Sequence, residues 1–324
     1  MEILAPLRLE PIAVPKVWGA PKLLGPMSES LSIPEGVGEI WLASAFSTIT
    51  RVAEGPLAGM GLDELTHIYR KRLLGSDSKV EFPLTLKLLN VGDWLSVKVS
   101  GDAQAQSSSN MGEVWHVLHT ETSNTEIVMG LKTEAGRQEL EAAAESGQLN
   151  DLLAKVPAHN GNTFFVPSGT MHSVGPGLLI FELQQPSGVA YRFHDWNRPD
   201  INGVLRQLDN ESALQALTLS GHAPSEPVKY LEIYGAPNRI RLLLETNSFS
   251  LLKVDVTQTY RPWWGGAKLR ILFVLEGEGE MSSPGRYFAP MKISAGQAWL
   301  MPALLTTPLL TPSNGKLSIL ESIA

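Results

Sequence analysis

Short apolar runs broken by glycine and proline dominate this chain, the pattern of strands joined by turns. Phe82 to Leu89, Leu95 to Ser100 and Thr163 to Val166 each read as a strand. Two stretches carry a different period. Leu62 to Leu74 places Leu62, Leu65, Ile68, Tyr69 and Leu73 on one helical stripe, closed by Gly75. Thr133 to Leu153 is rich in Ala, Glu and Leu with a break at Ser146-Gly147, which predicts two helices inserted between strands. Its acidic run from Glu134 to Glu145 reads as a solvated helix face. From Phe164 to Phe193 the pattern returns to strand and turn.

A weak internal repeat organises these elements. Gly161-x5-Pro167 recurs as Gly296-x5-Pro302, each within an apolar strand pattern. Chance recurrence of a turn is the bland reading; a repeated supersecondary unit argues for two related β lobes. The length of 324 residues suits two domains. The expected division is residues 1–225, with the helical insertion near 133–155, and residues 226–324.

Composition removes several functions. A net charge of -7 offers no basic surface for nucleic acid or anionic lipid. With no cysteine, disulfides, zinc–thiolate sites and thiol nucleophiles are excluded. Neither a signal-peptide pattern nor an apolar run of membrane-spanning length is visible, so a cytoplasmic protein is expected.

The chemistry concentrates in three blocks. Lys98 and Ser100 stand two apart on a predicted strand, so both side chains share one face. Glu113 follows in Gly112-Glu113-Val114-Trp115. Gly161, Pro167, Gly169 and His172 then complete the spacing G-x5-P-x-G-x2-H. The last block is a cupin signature, and a metal-binding cupin would place its first two ligands where Lys98 and Ser100 stand.

A longer set of motifs resembles the short, bacterial-type branch of the type I mannose-6-phosphate isomerases (phosphomannose isomerases). It comprises Pro15 to Gly19, Gly38 to Ser44, Phe82 to Leu89, Leu95 to Val97, Val166 to His172, Phe181 to Gln185 and Tyr191 to Trp196. The resemblance implies a mostly β fold of two cupin-like double-stranded β-barrel (jelly-roll) lobes with a small helical insertion, the second lobe lacking a metal site. It implies interconversion of mannose 6-phosphate and fructose 6-phosphate, a sugar phosphate being the partner. Zinc would stabilise developing oxygen charge while a base moves a proton.

The same resemblance exposes four departures. The family's ligands are Gln and His two apart, then Glu, then His; here the positions hold Lys98, Ser100, Glu113 and His172. A phosphate-holding lysine is replaced by Met111, and a proposed proton-carrying aspartate by Gly188. Lysine carries a cation and serine is a poor zinc ligand. Two functions are therefore open. In the first, isomerisation persists with zinc on Glu113, His172, waters and Glu182. In the second, the chain is a metal-free sugar-phosphate-binding or regulatory protein.

Each candidate has a structural alternative. Lys87, inside an apolar run, requires an anion, either a carboxylate such as Glu39 or a bound phosphate. Arg192 suits a phosphate or an ion pair with Asp195. Catalytic and phosphate-binding roles are thus assigned to Arg192 and Lys87, and a phosphate-binding role also to Lys98. Lys98 is further expected to pair with Glu113, since a buried carboxylate without its metal needs a counter-charge. His116, His119, His159 and His194 are expected outside the site.

Overall fold

The computed structural model describes residues 5–22, 27, 31, 33–75, 81–101, 112–185, 189–218, 226–233, 237–262 and 268–324. Antiparallel pairing of strands buried on both faces sets its architecture. One antiparallel sheet joins β2 (Ile12–Pro15), β3 (Val37–Ala43), β5 (Thr85–Val91), β7 (Gly112–Thr120), β10 (Thr163–Pro167) and β12 (Leu178–Gln184), in the order β10-β7-β12-β5-β3-β2. A second joins β6 (Val97–Gly101), β8 (Glu126–Leu131), β9 (Leu153–Pro157), β11 (Met171–Val174) and β13 (Val189–His194), in the order β13-β6-β11-β8-β9. Their facing sides enclose Leu89, Val91, Val117, Ile127, Met129, Val174, Leu178 and Ile180 as one core. This is the first barrel.

The remaining strands form a nine-stranded sheet. It holds β14 (Leu231–Ile233), β15 (Arg239–Glu245), β16 (Ser250–Val256), β17 (Arg270–Ser282), β18 (Met291–Ser294), β19 (Ala298–Met301) and β20 (Leu309–Ile323). It also holds β1 (Leu7–Glu10) and β4 (Arg51–Val52) from the other end of the chain. A division at 225/226 therefore does not separate the sheets. The reason is local: β1 pairs with β19, which buries Leu7 and Leu9 among Leu251, Ile271 and Leu300.

The two lobes share that apolar layer. Odd and even positions of the six-stranded sheet face opposite ways. Leu86, Leu88, Ile40, Leu42 and Phe181 point away from the first barrel onto Leu251, Ile271, Phe273 and Leu320. Phe181 and Phe273 stack with centroids 5.8 Å apart. The second barrel is filled by Leu252, Val254, Leu272, Trp299 and Ile319, with the fully buried Glu321 among them.

Helices cover the outside. α1 (Leu62–Leu74) ends at Gly75, whose φ of 95° suits a residue without Cβ. Asp63 and Glu64 begin it and Lys71 and Arg72 end it, as the helix dipole favours. α2 (Arg137–Glu145) and α3 (Leu149–Leu152) are the two inserted helices. A further short helix, α4 (Asn210–Ala216), was not foreseen; within its span only Ala213 and Leu214 are buried. α2, α3 and α4 cover Val97, Val99 and Phe193 on the outer face of the five-stranded sheet, whereas α1 packs on the layer shared with the second lobe. No helix among the described residues is long and apolar enough to cross a membrane.

Candidate functional site

Strand parity divides the interior of the first barrel into two halves. Reading inward positions along β5 gives Lys87, Leu89, Val91; along β7, Glu113, Trp115, Val117; along β12, Glu182, Ile180, Leu178; along β11, His172, Val174. The first residues of each series gather at one end, and the apolar ones fill the other. Because Val97 and Val99 face the outer helices, Ser96, Lys98 and Ser100 face the barrel. Register places Lys98 directly beside His172 on one side and Arg192 on the other.

Glu113 is the hub of this polar end. Its Oε1 lies 3.0 Å from His172 Nε2 and accepts a hydrogen bond from Ser100 Oγ at 3.2 Å. The turn after β10 aims the histidine. Gly169 holds φ at +82°, and a Cβ there would collide with Thr218 Oγ1. His172 Nδ1 donates to the Thr170 carbonyl at 2.8 Å, since a carbonyl can only accept. The Trp115 ring meets the imidazole edge-on at 5.5 Å. Burial alone would raise the Glu113 carboxyl, but His172, then Lys87 and Lys98, hold it well below the ordinary carboxylate range.

The expected Lys98–Glu113 pair is not formed: among the described residues no carboxylate lies within 4.0 Å of the Lys98 ammonium. The physical reason is that His172 reaches Glu113 first. Lys98 is partly buried, and desolvation lowers its pKa against the pull of Glu39.

Lys87 is paired within the protein. Its Nζ lies 2.5 Å from Glu182 Oε1 and 4.9 Å from the centroid of the Trp41 ring. The partner is thus Glu182 rather than Glu39, because β5 and β12 place Lys87 and Glu182 directly opposite. Burial lowers the Lys87 pKa less than Glu182 and Glu39 raise it, so the ammonium is held charged. Burial pushes the Glu182 carboxyl up against the pull of Lys87, and Glu113 adds to that push. Glu39 is held by Lys16 Nζ at 3.1 Å and by Trp41 Nε1 at 3.1 Å.

Arg192 does not pair with Asp195. Its guanidinium donates to Ser96 Oγ at 3.4 Å and to the Gln207 carbonyl at 2.8 Å. Asp195 is held instead by Arg206 and Arg198, and accepts from Ser96 Oγ at 3.1 Å. His116 points out of the barrel onto Thr163 Oγ1, and burial drives its pKa down to about 3. Met111 and Gly188 lie outside the described residues. The sequence reading passed over Trp41 and Trp115; strand parity would have placed both on the inner face.

The donor set is poor for zinc. Of the four positions that the resemblance maps as ligands, Glu113 and His172 carry a zinc-binding side chain, and these two face each other. Among the described residues no three of His, Cys, Asp or Glu converge as a metal site requires. At the other two positions that the resemblance maps as ligands, Ser100 offers a hydroxyl and Lys98 a cation, so the described side chains at these four positions fit the ion poorly.

The phosphomannose isomerase type I, catalytic domain family matches residues 7–131. The mannose-6-phosphate isomerase of Streptococcus mutans is 31% identical over 283 residues, covering 86% of this chain and 87% of that protein. A probable mannose-6-phosphate isomerase of Bacillus subtilis is 29% identical over 309 residues, 92% of this chain and 93% of the relative. The crystal structure of a mannose 6-phosphate isomerase from Bacillus subtilis superposes with a TM-score of 0.84 at 27% identity, covering 98% of this chain and 99% of the other. Identity carried across nearly the whole of both chains, on one shared fold, makes this chain a member of the type I mannose-6-phosphate isomerase family.

Proposed function

We propose that the polar end of the first barrel binds a hexose 6-phosphate without zinc, and that isomerisation has been lost or reduced to a trace. One observation carries this reading. The carboxylate of Glu113 is already satisfied by His172 and Ser100 where the family would place a metal. The substrate class follows from relatives named mannose-6-phosphate isomerase. A zinc-bound phosphomannose isomerase shares the fold at 13% identity, which supports zinc for that relative.

The competing reading is a working mannose-6-phosphate isomerase. It is favoured by the named activity of relatives aligned over most of the chain. It is also favoured by Glu182, whose raised pKa beside Lys87 is the kind of shift found in proton carriers. A coupled isomerase assay, run beside equilibrium binding of mannose 6-phosphate, separates the two. Binding with turnover far below the ordinary enzyme range of about 1 to 1,000 per second is expected. Turnover within that range overturns the proposal.

A further inference from the structure

The cations of the barrel mouth fall into two groups. Lys16 is matched to Glu39 and Lys87 to Glu182, each within 3.1 Å. Lys98 and Arg192 are not matched: among the described residues neither ammonium nor guanidinium has a carboxylate within 4.0 Å. These two are directly paired residues of β6 and β13. Directly opposed residues of an antiparallel pair point to the same face with Cβ atoms about 5 Å apart, and here that face is the barrel interior. Arg192 is steadied from both sides by two neutral acceptors, Ser96 Oγ and the Gln207 carbonyl. The nearby acids are engaged elsewhere: Glu39 by Lys16 and Trp41, Glu113 by His172 and Ser100, Asp195 by Arg206 and Arg198, and Asp209 by the backbone N–H of Arg192.

We infer that Lys98 and Arg192 form a seat for a phosphate monoester, placed beside the Ser100–Glu113–His172 cluster. The inference rests on the sugar-phosphate reading and gives it an orientation. With the phosphate drawn to Lys98, the ligand enters phosphate first. Its carbonyl end then lies away from Glu113 and His172. Lys98 does two things at once: it displaces a metal ligand and supplies an anion site. Such a seat reads the phosphate and not the sugar.

The test is titration calorimetry of the full chain with inorganic phosphate, glycerol phosphate, mannose 6-phosphate and unphosphorylated mannose. The three phosphates should bind and mannose should not. Lys98→Met should weaken all three by at least about tenfold, the loss of one charge-assisted contact, and Lys98→Arg should restore most of it. If Lys98→Met does not fold, Lys98→Gln, which carries the residue the resemblance places there, serves instead. Mannose 6-phosphate binding that is unchanged in Lys98→Met or Lys98→Gln overturns the seat while leaving the sugar-phosphate reading in place. Binding of inorganic phosphate through Lys98, with mannose 6-phosphate excluded, keeps the seat and overturns the sugar-phosphate reading. No binding of any phosphate to the parent protein overturns both.

Discussion

Replacing Glu113 with Gln isolates the charge at the centre of the pocket. The amide keeps the volume of the side chain and an oxygen that can still accept from Ser100 Oγ, now at 3.2 Å, beside His172 Nε2, now 3.0 Å from Oε1. What it removes is the negative charge. A hydrogen bond to a charged group contributes about 1.5–3 kcal/mol against about 0.5–1.5 for a neutral one. Two such bonds, with the mutual attraction of a buried pair, make the expected loss about 2–4 kcal/mol. For a chain of this length that is a fall in Tm of about 3–6 °C, at about 2.1 cal/mol/K of unfolding entropy per residue. The pH dependence follows from the sign. The folded carboxyl titrates below its unfolded value, so its stabilisation is complete above the unfolded pKa of about 4.3 and is lost as pH falls below it. Thermal unfolding followed by circular dichroism at pH 7 and at stepwise lower pH measures this. The gap between parent and Glu113→Gln should be widest near neutrality and close in acid. A gap that is absent at pH 7, or that stays constant as pH falls, refutes the stabilising role of the Glu113 charge.

Three other outcomes are expected. Lys87→Met leaves Glu182 buried without its cation and should cost about 3–5 kcal/mol in denaturant unfolding, whereas adding Glu182→Met should recover most of that loss; no recovery contradicts the pairing. In the second barrel, burial raises the Glu321 carboxyl to about 7, so the parent should lose stability as pH rises from about 4.3 through 7, a slope that Glu321→Gln flattens; equal slopes in both proteins contradict it. Lys98→Gln combined with Ser100→His should convert the pocket into a zinc site, read as stoichiometric metal by elemental analysis after dialysis. If zinc content does not rise, the mapping of family ligand positions onto β6 is wrong.

Much of this site was legible because β structure has a period of two. Lys98 and Ser100 were placed on one face from spacing alone, and the buried Val97 and Val99 on the opposite face agree. The Pro-x-Gly turn ahead of His172 was readable from glycine's tolerance of positive φ. The repeat at Gly161 and Gly296 fell on equivalent turns, each with positive φ before a buried strand. Partner choice was not legible. Lys87 meets Glu182 through the register of β5 against β12, strands far apart in the chain. Lys98 loses Glu113 to His172 because three strands converge at one point, which no pairwise spacing reports. The placement of β1 in the C-terminal sheet was hidden for the same reason: Leu7 and Leu9 show alternation, but alternation does not name the neighbouring strand. α4, seven residues with two buried, has too short an apolar stripe to stand out from a loop.

The central claim is that the pocket binds its ligand with the charges of this chain and not with a metal. Its most direct test is calorimetric titration of mannose 6-phosphate into protein stripped with a chelator, repeated after equilibration with zinc. Saturable binding with the same Kd in both titrations is predicted. Binding that disappears on stripping and returns with zinc would contradict the account, because Glu113 and His172 would then be holding a metal rather than each other.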